Sequence, residues 1–268
     1  MRVKVSWCYD IKNHNSCSIY CNPMASLEHT SNILRCFTTG RSELTVTESA
    51  RLLGLPKSTM SRLLMAMRNA GLLDVVGGGR GYRLGVLMHE LGEAVRQTQT
   101  LSARASAAVR RLSDSLGHTG YVSALVGTDM VGLVHHVGQN PVQVGVPLGS
   151  RLPVDACATG RSLLAELSDD EVRSLLGGQV SMASPQSPQS FDELLQRLAQ
   201  VRHNGFAEAS NETGKGVGAL AVAVQDSHTG QRLSLCITFP ISAMDKRERG
   251  KAIELLRQEQ KNLMRNTE

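Results

Sequence analysis

The chain has 268 residues, of which 41% are hydrophobic and 3% aromatic, and its formal net charge is +5. This length favours two domains, and the hydrophobic content is typical of a globular protein. No run approaches the roughly 20 apolar residues of a membrane-spanning helix, and the N-terminus lacks the apolar core of a signal peptide. The composition therefore predicts a cytoplasmic protein and argues against a membrane protein.

The excess of positive charge lies in the first 100 residues, which contain 12 Lys and Arg against 7 Asp and Glu, while the rest of the chain contains 17 of each. A basic segment joined to a neutral one is typical of a module that binds a polyanion such as nucleic acid, attached to a second domain. A solvated basic surface without a partner is the alternative.

Residues 1–23 show no clear periodicity, and helical spacing begins at Met24. We expect residues 1–23 to be a disordered or start-site extension, with a functional N-terminal arm as the alternative. The six cysteines lack the CxxC or HxxxH spacing of zinc sites, and thiols in the cytosol are usually reduced. We therefore expect no metal site, disulfide or cofactor.

Residues 24–71 have the pattern of three helices, the first of which begins at Met24. Thr45 and Glu48 have the S/T-x-x-E form of a capping box, which predicts a second, short helix to about Leu53. Gly54 then permits a tight turn.

The third helix follows this turn at Pro56, a residue suited to the first turn of a helix. Gly71 ends it. Its apolar residues recur at helical spacing and predict one buried face; they are Met60, Leu63, Leu64 and Met67.

Residues 72–85, "LLDVVGGGRGYRLG", consist of two β-prone runs around a glycine-rich tip, which predicts a hairpin. Two helices joined by a short glycine-containing turn and followed by a hairpin form a winged helix-turn-helix. Its second helix enters the major groove with its N-terminal residues nearest the DNA, and the wing holds the neighbouring backbone or minor groove. The predicted DNA-binding residues are Lys57, Ser58, Thr59, Ser61, Arg62, Arg80 and Arg83. An ordinary helical hairpin with a charged outer face is the alternative.

The remaining chain alternates helices and strands, with one strand pair around a turn at Gly127 and another formed by "VGALAVAVQ" and "RLSLCITF". This alternation predicts an α+β or α/β domain. We expect a winged helix-turn-helix over residues 24–85, a linker helix over 86–100 and an effector-binding domain over 101–268.

Features that suggest an enzyme are weak. The glycine clusters lack the strand–GxGxxG–helix context of a dinucleotide site and the spacing of a phosphate-binding loop. A thiol and candidate bases exist at Cys157, Asp155, His135 and His136, but nothing in the sequence brings them together. We therefore do not expect an enzyme.

Several motifs resemble the IclR family of transcriptional regulators: "LGLPKSTMSRLL", "AGLL", "GYRLG", "LGSRLPVDACATGRSLLAEL", "VRHNGFA" and "GVGALAVAV" occur in its order and spacing. The resemblance runs from about Ser26 to Leu263. It implies a winged helix-turn-helix, a linker helix that helps to dimerise the protein, and a C-terminal effector-binding domain resembling a GAF or PAS sensor. Family members are bacterial repressors or activators, usually dimers or tetramers, and many respond to small organic acids.

The resemblance also implies an effector pocket lined by three segments. One begins the helix after "LP", where backbone N–H groups suit a carboxylate; the second follows the "GF" turn; the third is the last strand. The corresponding residues are Ala158, Thr159, Gly160, Ala209, Val217, Ala219, Cys236 and Thr238.

The sequence departs from the family pattern in three places. Asp155 stands where histidine is usual, "ASNE" replaces a more acidic stretch, and Ala219 stands where a polar or thiol residue can occur. These departures favour an apolar effector, such as an aromatic or longer-chain acid, over a small hydrophilic one; a pocket that has lost its ligand is the alternative.

Taken together, the sequence predicts a homodimeric or homotetrameric regulator that binds double-stranded DNA and whose operator affinity depends on a small-molecule effector. The alternative is a ligand-sensing or interaction protein with a degenerate helix-turn-helix, which would bind DNA without sequence preference.

Overall fold

The computed structural model describes residues 23–37, 41–76, 78, 81–98, 100–140, 147–226 and 229–265. The chain divides into two compact units, Met1–Val95 and Arg96–Glu268. The expectation for residues 1–23 falls almost entirely outside the described part of the chain.

Within its described residues, the first unit contains three helices, then a two-stranded sheet and a fourth helix. These elements are α1 (Pro23–Arg35), α2 (Val46–Leu53), α3 (Lys57–Asn69), β1 (Leu73–Val76), β2 (Gly81–Leu84) and α4 (Val86–Thr98).

Local sequence explains how α2 begins and ends. The Thr45 hydroxyl accepts a hydrogen bond from the Glu48 backbone N–H at 3.2 Å, and the Glu48 carboxylate accepts one from the Thr45 N–H at 2.9 Å, which confirms the capping box. Gly54 ends α2 in the left-handed conformation, with φ 66°. Pro56 precedes α3 rather than lying inside its first turn, because α3 begins at Lys57.

The core of the first unit lies between the helices and the sheet. The Met60, Leu64 and Met67 side chains of α3 are buried, as the spacing predicts, and Leu63 is half-buried. They pack with Ile33, Ala50 and Leu73 from the neighbouring elements. Strands β1 and β2 are antiparallel, and the helices and this hairpin form the winged helix-turn-helix.

The second unit contains one six-stranded antiparallel sheet in the order β5-β4-β3-β8-β7-β6. Its elements are α5 (Thr100–Leu116), β3 (Thr119–Val126), β4 (Asp129–His136), β5 (Arg151–Pro153), α6 (Ala158–Leu164), α7 (Asp169–Leu176), α8 (Phe191–Asn204), β6 (Ala207–Ser210), β7 (Val217–Gln225), β8 (Arg232–Pro240) and α9 (Lys246–Arg265). The α+β prediction is therefore confirmed, although α7 and β6 were not predicted.

The two faces of this sheet carry side chains of different size, because residues alternate between the faces of a strand. One face is covered by α5 and α9 and presents large residues of β7 and β8; these are Leu220, Val222, Val224, Leu233, Leu235 and Ile237. The opposite face is covered in part by α6. It presents small residues at the alternate positions, namely Ala219, Ala221, Ala223, Ser234, Cys236 and Thr238.

Candidate nucleic-acid interface and ligand cavity

The outer face of α3 carries most of the polar residues predicted to bind DNA. Lys57, Ser58 and Arg62 are exposed, whereas Thr59 and Ser61 are half-buried at the edges of the helix. The exposed group therefore offers two cations and a hydroxyl to an approaching polyanion.

Helical spacing extends this outer face beyond the predicted residues. Ser58, Arg62, Met65 and Asn69 follow one another at intervals of four, three and four residues, so they form one stripe. All four are exposed, and the buried side chains of α3 lie on the opposite face. Met65 and Asn69 were missed in the sequence analysis, although their spacing from Arg62 identifies them.

The hairpin contributes a further cation. Arg83 lies on β2, and its Nε is 3.8 Å from Oδ2 of Asp74 on the paired strand. An exposed pair at this distance is weak, so the Arg83 side chain can turn toward a phosphate at little cost. Arg80 lies outside the described residues.

The second unit contains a cavity of about 560 Å³, measured with its open mouth, between the small-residue face of the sheet and the start of α6. Its lining residues are Tyr121, Ser123, Met130, Gly132, Pro147, Ser150, Leu152, Cys157, Ala158, Thr159, Ala209, Thr213, Ala219, Cys236 and Thr238.

Six of the eight predicted effector-binding residues line this cavity: Ala158, Thr159, Ala209, Ala219, Cys236 and Thr238. Gly160 and Val217 do not. A Cβ atom on Gly160 would lie 1.8 Å from the carbonyl oxygen of Val154, so this glycine allows the helix to pack against the preceding turn. Val217 is half-buried at the start of β7.

The cavity exists because small residues are aligned across adjacent strands. Ala209 of β6 pairs with Ala219 of β7, which in turn pairs with Thr238 of β8. One step along, Ala221 of β7 pairs with Cys236 of β8. Protein interiors are otherwise close-packed, so neighbouring rows of short side chains leave room for a ligand.

The lining is apolar with scattered hydroxyl groups, and none of the lining residues named above is Asp, Glu, Lys, Arg or His. Burial raises the pKa of both the Cys157 and Cys236 thiols above the ordinary value, so both stay neutral. Cys157 Sγ lies 3.1 Å from the Thr159 hydroxyl and accepts the Gly160 N–H at 3.4 Å as the N-cap of α6. The site can therefore enclose an apolar ligand and bind its polar group through hydroxyl or backbone groups.

A buried ion pair joins two of the segments that line the cavity. Arg161 of α6 donates to both carboxylate oxygens of Glu212, at 2.6 and 2.8 Å, and to the backbone oxygens of Asp155 and Glu208, at 3.1 and 2.7 Å. Burial raises the pKa of the Glu212 carboxyl, and the guanidinium groups of Arg161 and Arg197 oppose that rise.

Asp155 has a structural role in the second unit. Its carboxylate is buried and accepts hydrogen bonds from both the backbone N–H and the hydroxyl of Ser181, each at 2.8 Å. Asp155 therefore anchors the segment that follows α7.

The residues considered for catalysis are not assembled. His136 lies 3.1 Å from Asp114, and His135 contacts the Tyr121 ring. The hydrogen bonds of the Cys157 thiol go to Pro153, Thr159 and Gly160. Across the described ranges, no cluster of three or more metal-ligating residues occurs, and none of the helices found there is both long and apolar enough to cross a membrane.

The chain matches two protein-family models, one over each part of the chain. Residues 26–77 match the IclR helix-turn-helix domain, and residues 93–265 match the C-terminal domain of bacterial IclR transcriptional regulators. The HTH-type transcriptional regulator XynR of Escherichia coli (strain K12) is 31% identical over 234 residues, which are 87% of this chain and 93% of that protein.

Solved structures share the fold. The IclR transcriptional regulator of Alicyclobacillus acidocaldarius matches with a TM-score of 0.80 at 22% identity, over 91% of this chain and 99% of that one. An IclR homologue from Microbacterium hydrocarbonoxydans, complexed with 4-hydroxybenzoate, matches with a TM-score of 0.76 at 21% identity, over 90% and 98% of the two chains.

Proposed function

The chain belongs to the IclR family of transcriptional regulators, and we propose that its operator affinity is controlled by a small organic acid bound in the cavity of the second unit. The protein would act in the cytoplasm, as a homodimer or homotetramer. We assign DNA binding to residues 24–85, the linker to the helix in residues 86–100 and effector binding to residues 101–268.

The observation that carries the DNA-binding role is the outer face of α3. Cations and hydroxyl groups lie on the exposed side of a helix whose opposite side is buried. Such a helix fits the major groove, where Arg62 and Ser58 can reach base edges or phosphates. Lys57, Thr59, Ser61 and the wing residues Arg80 and Arg83 would complete the interface.

The effector proposal rests on the cavity and its lining. The apolar walls suit an aromatic or other apolar body. Ala158 and Thr159 form the start of α6, where a carboxylate can accept hydrogen bonds from backbone N–H groups. The homologue complexed with 4-hydroxybenzoate makes aromatic acids the first compounds to test.

Binding of the effector would favour one arrangement of the subunits and so change DNA affinity. Coupling of this kind is typically about 1–3 kcal/mol, which corresponds to roughly 5- to 150-fold in operator affinity. The size of the response therefore gives a quantitative criterion for the effector.

The test is fluorescence anisotropy of the full chain with the DNA upstream of its own coding region and a scrambled duplex, at two salt concentrations. A preference of roughly 10³-fold or more for the upstream DNA supports a specific regulator. If random-sequence selection also enriches no site, and all binding disappears at high salt, the helix-turn-helix is degenerate and the DNA-binding proposal fails.

The effector is tested on the same complex with 4-hydroxybenzoate, benzoate and phenylacetate. A change in operator affinity of at least fivefold supports an aromatic acid as the effector class. A response to none of them, together with unaltered thermal stability in their presence, contradicts that class while leaving DNA binding intact.

A further inference from the structure

We propose that Met65 reads the methyl group of a thymine in each half of the operator. This inference rests on the proposed function, since it requires α3 to lie in the major groove. It adds a base-reading residue that is apolar to an interface otherwise made of cations and hydroxyl groups.

The exposure of Met65 is the first argument. Its side chain is 52% exposed, whereas the other large apolar side chains of α3 are buried or half-buried. Met60, Leu64 and Met67 form the inner face of the helix, and Met65 points away from them. Within the first unit, therefore, the Met65 side chain is not needed for the core.

The position of Met65 is the second argument. It follows Ser58 by seven residues and Arg62 by three, so it lies on the stripe that the exposed cation and hydroxyl already mark. Lys57 and Arg68 are exposed on one side of this stripe. Positive charge along one side of the stripe complements the phosphates that border one side of a groove, and this complementarity identifies DNA as the occupant.

Distances along the helix restrict which base is read. An α-helix rises by about 4.5 Å over three residues, and successive bases on one DNA strand are about 3.4 Å apart. The thymine should therefore lie within about two base pairs of the base or phosphate that Arg62 contacts.

The chemistry of the groove supplies the specificity. Thymine presents a C5 methyl group in the major groove, and this group is read by apolar contact. Methionine is unbranched and adaptable, so it can follow a methyl group without fixed geometry. Burial of one methyl group at this contact corresponds to about a fourfold change in affinity.

The experiment compares thymine with uracil, which lacks only the methyl group. A random duplex library is first selected with the full wild-type chain, and each thymine of the enriched site is then replaced singly by 2′-deoxyuridine. Affinities are measured for the wild type, Met65→Ala, Met65→Leu and Val126→Ala. Val126 is a matched control, because it is an exposed apolar residue, at 43%, in the second unit.

The expected result is one thymine per half-site, within about two base pairs of the position affected by Arg62→Ala, at which uracil weakens wild-type binding about fourfold. Met65→Ala should bind thymine and uracil sites equally, Met65→Leu should restore most of the discrimination, and Val126→Ala should match the wild type.

If a site is enriched but Met65→Ala keeps the wild-type ratio at every thymine, or no thymine is sensitive to its methyl group, this inference is wrong and the DNA-binding proposal stands. If no site is enriched, the DNA-binding proposal fails, and the role of Met65 fails with it.

Discussion

Arg161 and Glu212 form a bidentate ion pair inside the second unit, although 51 positions separate them in the chain, and their side chains are only 2% and 5% exposed. Arg161 lies on α6, whose first turn lines the cavity, and Glu212 precedes Thr213, another lining residue. The pair therefore joins two walls of the cavity, so the shape of the cavity depends on it.

Glu212→Gln should destabilise the protein by about 3 kcal/mol, because it leaves the buried Arg161 guanidinium without a full countercharge. Urea denaturation measures the loss. The control is Glu208→Gln, which breaks a bidentate pair with Arg249 in which both side chains are exposed, at 37% and 40%. That change should cost about 1 kcal/mol or less. Equal losses in the two variants would contradict the special role of the Arg161 pair.

Gly160→Ala should cost about 3 kcal/mol, because the added methyl group would overlap the Val154 carbonyl oxygen and force the helix away from the turn. Thermal denaturation of this variant and of Gly250→Ala provides the comparison. Gly250 lies in α9 with open space around its Cβ position, so alanine there should stabilise the protein by about 0.5–1 kcal/mol. A stable Gly160→Ala protein would show that the turn can move.

Ala219→Leu should fill the cavity between Ala209 and Thr238 and abolish effector binding. Calorimetric titration with the active aromatic acid measures this loss, and operator affinity without effector should stay within about twofold of the wild type, since the substitution lies in the second unit. Ala199→Leu, at an exposed position of α8, is the control. Undiminished effector affinity in Ala219→Leu would place the effector elsewhere.

Arg62→Ala should remove the preference for the operator over random DNA and leave effector binding unchanged. If Arg62 contacts a phosphate instead of a base, the preference will persist and the slope of affinity against salt will fall by about one. Arg232→Ala removes the same charge from an exposed position of the second unit and should leave both quantities unaltered. Wild-type operator affinity in Arg62→Ala would refute the assignment of the recognition helix.

His118 should make stability depend on pH. Burial lowers the pKa of its imidazole, and Nδ1 lies 2.9 Å from the Asn140 amide nitrogen, an arrangement that favours the neutral ring. In the unfolded chain a histidine side chain has a pKa near 6.5, so it binds a proton more readily there. The free energy of unfolding therefore has its full value above about pH 6.5. At lower pH it decreases by up to about 1.4 kcal/mol per pH unit.

Urea denaturation at pH 8 and pH 5.5 tests this dependence. His118→Gln should lose less stability than the wild type between the two values, whereas His203→Gln, at an exposed position of α8, should retain the wild-type difference. An identical pH dependence in the wild type and His118→Gln would rule out His118 as the cause.

Local patterns in the sequence determined most of the first unit. The capping box at Thr45, the glycine at position 54 and the apolar spacing of α3 depend on neighbouring residues, so they can be read without knowing the fold. In the second unit, the alternation of large and small residues in β7 and β8 can also be read from the sequence, and the row of small residues explains why one face of the sheet leaves room for a cavity.

Tertiary structure decided what these elements assemble into. Strand β6 has 4 residues and helix α7 has 8, and segments this short are stabilised mainly by the surfaces on which they pack. The sequence also gave no sign that Tyr121, Met130 and Thr213 face one cavity, or that Arg161 meets Glu212. Such groupings arise from strand order and register, which bring distant segments together and which no local pattern specifies.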